Sequence, residues 1–271
     1  MVSQEQRRRQ LAREKFLRQQ QRRTDARRKA RTRNAVIASA LGVVLIGSLA
    51  LYTTGVLEDD DRTTAGTEVT ESASPSKAPD PCDEPAAGKA ATATWEKEPA
   101  MTIDTSAQYT MKLATTCGDI DIALKTSAAP HTVNSFGFLA GKGYFDHTKC
   151  HRLTTNGIYV LQCGDPTGSG SGGPGYTIPD ENLKDTSLKD NIYPAGTVAM
   201  ANTGQPDSGG SQFFLVYQDS QLPPSYTPFG TVSESGMTVL KKIADAGEST
   251  GAGDGAPNAT VVIDKATVTK S

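Results

Sequence analysis

None of the four cysteines, Cys82, Cys117, Cys150 and Cys163, stands in a Cys-x-x-Cys pair, which excludes a thioredoxin-like redox motif. No Gly-x-Ser-x-Gly elbow is present for a hydrolase nucleophile, and Gly209-Gly210-Ser211 reads as a turn. His147, Cys150 and His151 lie close together, but their spacing fits no common zinc pattern and no further ligand accompanies them. Gly168 to Gly173 spell G-x-G-x-x-G, yet Pro174-Gly175-Tyr176 follows where a dinucleotide site needs a helix, so the run reads as a surface loop. These absences set aside redox, hydrolytic, metal and nucleotide chemistry, and no cofactor is expected. Between Arg33 and Glu58 charge itself is missing.

That uncharged stretch, Asn34 to Leu57, is 24 residues long and mostly aliphatic. As a helix it would reach about 36 Å, at about 1.5 Å per residue, against a hydrocarbon core of about 30 Å. The net charge of −2 hides a split around it. Residues 1–33 carry 13 Lys/Arg and 3 Asp/Glu, whereas the remainder carries 15 and 27. The positive-inside rule then places the N-terminus in the cytoplasm and everything after Leu57 outside. A cleaved signal peptide, with Ser48-Leu49-Ala50 as its site, is the competing reading. The long basic region and long apolar run favour an uncleaved anchor. Residues 1–33 read as a solvated basic tail with lipid contact rather than a nucleic-acid-binding arm.

The expected organisation is a tail at 1–33, an anchor at 34–57, a flexible linker at 58–100 and a folded domain at 101–271. Residues 63–94 have almost no large apolar side chains to offset the entropy of ordering. Alternation begins with Tyr109, Met111 and Leu113 and resumes with Ile120, Ile122 and Leu124, with Cys117-Gly118-Asp119 as the hairpin turn. Pro130 opens a helical pattern with Val133, Phe136 and Ala140 on one side, stopped by Gly141 and Gly143. Short strands follow at 150–153, 158–163, 196–201, 212–217 and 228–232. A second helix is expected from about Gly236 to Ala246, and a last strand from Thr260 to Val268. Many short strands with two helices point to an antiparallel barrel or sandwich with helical caps. In an extracytoplasmic domain the cysteines tend to pair, and three connectivities are open. Cys150 and Cys163 fall on two strands joined by a short connection, placed to face each other, which leaves Cys82 to staple the linker's end to Cys117.

One ordered set of segments is more specific. His151-Arg152-Leu153 is followed ten residues later by Gln162-Cys163-Gly164-Asp165-Pro166. Then come Gly172-Gly173-Pro174-Gly175-Tyr176, the run from Gly196 to Asn202, Gly210-Ser211-Gln212-Phe213-Phe214-Leu215 and Thr227-Pro228-Phe229-Gly230-Thr231-Val232. In this order and at these separations they resemble the cyclophilin family, over about Tyr109 to Val268. The resemblance implies a mainly β fold, an eight-stranded antiparallel β-barrel capped by two α-helices. It also implies peptidyl-prolyl cis/trans isomerisation of proline-containing polypeptides; taken with the expected anchor, the chain reads as a monomeric, membrane-anchored bacterial form acting on extracytoplasmic clients. The alternative is a proline-peptide-binding chaperone or scaffold of the cell envelope with incidental catalysis.

By resemblance, Arg152 is the catalytic donor and Gln162 holds the substrate backbone. Ala201 and Asn202 match the strand that pairs with the peptide. Tyr159, Val160, Phe214 and Leu222 match the proline pocket, with Gln212 beside it. Alternation assigns Phe213 to the core. The stretch between Arg152 and Gln162 is about two residues longer than the common pattern, around Thr155-Asn156-Gly157, so a one-position shift at Tyr159 and Val160 stays open. Tyr226 stands where many members carry histidine. Gln221 falls where many carry a tryptophan that helps to hold cyclosporin, and the single tryptophan, Trp95, is expected outside the domain.

Overall fold

The computed structural model describes residues 79–271. The basic tail, the candidate anchor Asn34 to Leu57 and the first part of the linker lie outside the described residues. Among those that are described, no helix is long and apolar enough to cross a membrane.

The chain builds one large antiparallel sheet. Strands β1 (Tyr109–Thr115) and β2 (Gly118–Leu124) form the expected hairpin, paired from Tyr109↔Leu124 to Thr115↔Gly118. Its tight turn is closed by Gly118 at φ 128°, a value that L side chains rarely adopt. Alternation puts Met111, Leu113, Ile120 and Ile122 fully inside. Helix α1 (Pro130–Gly141) follows, and then β3 (Thr148–Lys149), β4 (Arg152–Thr154), β5 (Val160–Cys163), β6 (Ile192–Tyr193), β7 (Thr197–Met200), β8 (Phe213–Val216), β9 (Ser220–Gln221) and β10 (Pro228–Val232). Helix α2 (Glu234–Asp245), β11 (Asp254–Gly255) and β12 (Val262–Lys270) complete the order.

The sheet runs β11-β4-β5-β8-β7-β10-β2-β1-β12-β3, with β6 and β9 as a separate pair. The segment 148–154 curls it. Its first residues pair with β12 and Cys150 N–H donates to Val261 O, whereas its last residues pair with β5. Eight strands were expected; the sheet has ten, because the two-residue β3 and β11 are too short to leave a period-two signal. The final strand also starts two residues later than its pattern, at Val262.

The sheet is a curled half-barrel rather than a closed barrel, and both helices pack on its core. Phe136 of α1 packs against Phe145, Phe213 and Phe229 with ring centroids at 5.2, 5.5 and 4.6 Å. Helix α1 has no side-chain cap from Ala129. Instead the Glu181 carboxylate accepts from His131 N–H at 3.0 Å, Thr132 N–H at 2.9 Å and Thr132 Oγ1 at 2.8 Å, placing an anion on the positive end of the helix. Helix α2 begins two residues before its apolar pattern, because Ser233 is its N-cap and accepts from Gly236 N–H. Leu240 and Ile243 are fully buried, while Met237 and Ala244 are only partly so.

The flexible linker does not extend to residue 100. Residues 79–100 form a strap held on the domain. Cys82 is bonded to Cys117, and Cys150 to Cys163. Asp83 N–H donates to Thr116 O at 2.8 Å, Ala86 N–H to Asp264 Oδ1 at 3.0 Å and Trp95 N–H to Pro174 O at 2.8 Å. Trp95 is part of the domain: its ring meets Phe138 at 5.1 Å and Tyr144 at 5.9 Å. One aromatic ring, a disulfide and main-chain hydrogen bonds order a segment whose composition offers little apolar area.

Candidate active site

Arg152, Gln162, Phe214 and Ala199 are successive cross-strand partners on β4, β5, β8 and β7. Directly opposed residues share a face of the sheet, so these four side chains form one row across four strands. The period of two also splits each strand: Leu161 and Cys163, Phe213 and Leu215, Val198 and Met200 enter the main core, whereas Val160, Phe214, Val216 and Ala199 form a smaller cluster on the opposite face with Tyr193 and Leu222.

That second face opens into a cavity of about 180 Å³ lined by Arg152, Ile158, Val160, Gln162, Ala201, Asn202, Phe214, Leu222 and Tyr226. Drug-sized ligands need about 300–1,000 Å³, so this pocket suits a single small side chain. A shallower groove of about 840 Å³ adjoins it, sharing Gln162, Ala201 and Asn202 and adding Gln212, Gly172, Gly173 and the strap residues Glu96 to Glu98. Nearly all the expected site residues therefore converge, with Gln212 beside the pocket rather than in it.

Tyr159 is the exception. Its ring packs on Tyr217 at 5.9 Å, and its N–H donates to Ser220 Oγ at 2.8 Å. Ile158 lines the pocket in its place. Strand alternation puts 158, 160 and 162 on one side, and the turn at Gly157, with φ 76°, absorbs the added length. The signal was present in the pattern Ile158-x-Val160-x-Gln162. Gln221 is exposed on β9 and does not line the pocket.

Polar side chains form a directed relay along the row. Arg152 Nε donates to Asp254 Oδ1 at 2.7 Å, and Nη2 to Asp254 Oδ2 at 2.8 Å. Arg152 Nη1 donates to Gln162 Oε1 at 3.2 Å, Gln162 Nε2 to Gln212 Oε1 at 2.9 Å, and Gln212 Nε2 to Gly172 O at 2.9 Å. The Asp254 hydrogen bond raises the Arg152 pKa further, and that same bond holds the Asp254 carboxyl below its usual range. Arg152 is thus a permanent cation with its plane fixed. Asp254 carried no sequence signal, being 102 residues from Arg152.

The other lining groups shape the pocket. Asn202 Nδ2 donates to Ser225 O at 2.7 Å, and Gly204 N–H donates to Asn202 Oδ1, so this side chain ties two loops together. Tyr226 packs its ring against Phe214 at 5.4 Å. Tyr193 Oη donates to Tyr226 O at 2.8 Å, and burial pushes the Tyr193 pKa up to about 12. The glycine run winds as a loop around the buried Asp165, which accepts from the N–H groups of Thr167, Gly170 and Gly172. Burial opposes the Asp165 charge, but these bonds and Thr167 Oγ1 hold its pKa below the usual value. Cys150 is disulfide-bonded and so does not join His147 and His151 as a metal ligand.

The family model for cyclophilin type peptidyl-prolyl cis-trans isomerase/CLD matches residues 110–268. The chain is 47% identical over 196 residues to a probable peptidyl-prolyl cis-trans isomerase B of Mycobacterium leprae, covering 69% of this chain and 62% of the relative. It is 46% identical over 198 residues to the protein so named in Mycobacterium tuberculosis, covering 70% and 60%. The match thus spans about three fifths of these mycobacterial relatives' length. Peptidyl-prolyl cis-trans isomerase B of Bacillus subtilis is 39% identical over 127 residues, covering 46% of this chain and 83% of the relative. Among solved structures, a cyclophilin type peptidyl-prolyl cis-trans isomerase of Cryptosporidium parvum superposes with TM-score 0.51 at 26% identity, over 60% of this chain and 99% of that one.

Proposed function

The chain belongs to the cyclophilin-type peptidyl-prolyl cis-trans isomerase family, and from that premise we propose that it accelerates Xaa-Pro isomerisation in extracytoplasmic polypeptides. The observation that carries the proposal is the fixed guanidinium of Arg152 lining, together with Ile158, Val160, Phe214 and Leu222, a pocket sized for one small side chain.

Rotation about a peptide bond faces about 18–20 kcal/mol because the C–N bond has partial double-bond character. Uncatalysed Xaa-Pro isomerisation accordingly takes on the order of tens to hundreds of seconds. No nucleophile is needed. The proline ring enters the pocket among Ile158, Val160, Phe214, Leu222 and Tyr226, which holds one side of the bond still. As the carbonyl side turns, conjugation breaks and the proline nitrogen regains its lone pair. Arg152 donates to that nitrogen, an interaction stronger in the twisted state than in either planar one. Gln162 engages the substrate backbone, and the chain at Ala201 and Asn202 pairs with the extended peptide. A pocket that only bound proline would have no use for the oriented cation, which favours the enzyme over a scaffold.

For location, residues 34–57 act as a membrane anchor with the basic N-terminus in the cytoplasm. The charge split on either side of that segment supports this orientation. So do the two disulfides, which belong to oxidising compartments. The decisive test is a cis-to-trans assay of the full-length chain on a short Xaa-Pro peptide. A rate well above the uncatalysed one is expected, and no acceleration overturns the reading. Protease added outside intact cells should remove the domain and leave residues 1–33 protected; full protection of the domain reverses the orientation.

A further inference from the structure

We propose that Asp254 is a positioning residue for the isomerase reaction, aiming the free Arg152 donors at the pocket. The inference rests on the reading of function above. A guanidinium has five N–H donors in one plane. Asp254 takes Nε and one hydrogen of Nη2, and Gln162 takes one hydrogen of Nη1. One hydrogen on each Nη remains, and with the plane fixed on two edges their direction is set. The Arg152 side chain is otherwise long, rotamer-rich and 39% exposed, so Gln162 alone would leave it free to swing.

Asp254 is itself held by its loop. Strand β11 pairs with β4 through Asp254↔Thr154 and Gly255↔Leu153. The buried Glu248 carboxylate gathers the loop, accepting from Thr250 N–H at 2.6 Å, Thr250 Oγ1 at 2.7 Å and Gly253 N–H at 2.8 Å. Gly253, at φ 93°, lies so close to Asn156 that a Cβ would collide with it, and its carbonyl accepts from Thr155 N–H at 2.9 Å. The carboxylate is therefore presented from a fixed backbone next to the strand that carries Arg152.

An ion pair this exposed contributes little to folding stability. Its effect belongs on the rate, through bidentate geometry. The test uses the full-length chain as parent, Asp254→Asn, Asp254→Glu, Arg152→Ala and the double variant Asp254→Asn/Arg152→Ala. Asp254→Asn should lower kcat about tenfold, with KM within about twofold and Tm nearly unchanged, a size in the range of coupled neighbours. Asp254→Glu should recover part of the loss by restoring the charge. In the Arg152→Ala background Asp254→Asn should have no further effect. An active parent whose Asp254→Asn variant stays within about twofold in kcat overturns this inference alone, as does an equal loss in both backgrounds. A parent that does not isomerise the peptide overturns the functional reading and this inference with it.

Discussion

Phe213 and Phe214 are adjacent on β8, both almost fully buried, and belong to different parts of the molecule. Phe213 packs against Phe136, Phe145 and Phe229 in the main core. Phe214 packs against Tyr193 and Tyr226 and lines the pocket. The same residue type, at the same burial, serves stability on one face and the site on the other. A four-residue apolar strand cannot be divided by hydrophobicity; the period of two divides it.

Phe213→Ala should show the largest effect, a stability loss of about 3–5 kcal/mol by denaturant unfolding, because the aromatic core has no way to collapse around the lost ring. Activity per folded molecule should persist; loss of catalysis at retained stability would break the distinction between the faces. Arg152→Ala should do the reverse. Its kcat/KM on an Xaa-Pro peptide should fall about 10²–10³-fold, the usual consequence of losing one preorganised donor, while Tm moves little. Activity within about twofold of the parent would remove Arg152 from the mechanism.

Phe214→Leu should sharpen the comparison. It keeps an apolar group in the pocket but loses ring area, so KM should rise about threefold to tenfold, equivalent to about 1 kcal/mol of apolar contact. An unchanged KM with lowered stability would place Phe214 functionally with Phe213. The smallest expected effect is that of pH. The folded Asp254 pKa lies below the ordinary 3.8, so its charge is kept above that value and lost only as pH falls through the folded pKa. Arg152 stays charged throughout. A kcat/KM profile flat across the neutral range, with its acid limb below the usual carboxylate range, is expected; a limb near neutrality would point to a different titrating group.

The longer strands and both helices were legible because each rests on local periodicity, whereas most of the residues that line the pocket were reached only through the family resemblance of the ordered segments. The hairpin turn at Gly118 and the bond between Cys150 and Cys163, only 13 residues apart, are local in the same way as the strands and helices. Of the strap only its disulfide to Cys117 was legible, since the rest of its order comes from scattered hydrogen bonds and one tryptophan rather than from an apolar pattern. Tyr159 was placed one position out because a turn of unusual length precedes it, and alternation counted back from Gln162 would have selected Ile158.

By itself the sequence determined which residues alternate and where the turns fall, because side-chain direction in a strand follows from backbone geometry alone. Only the tertiary structure decided that Asp254 grips Arg152 across 102 residues, that Glu181 caps α1 from another segment, and that Trp95 closes on Phe138 and Tyr144. Each of these rests on one polar or isolated side chain that meets a distant segment. Such a contact repeats with no period, so it exists only once the sheet has curled and brought its distant segments together.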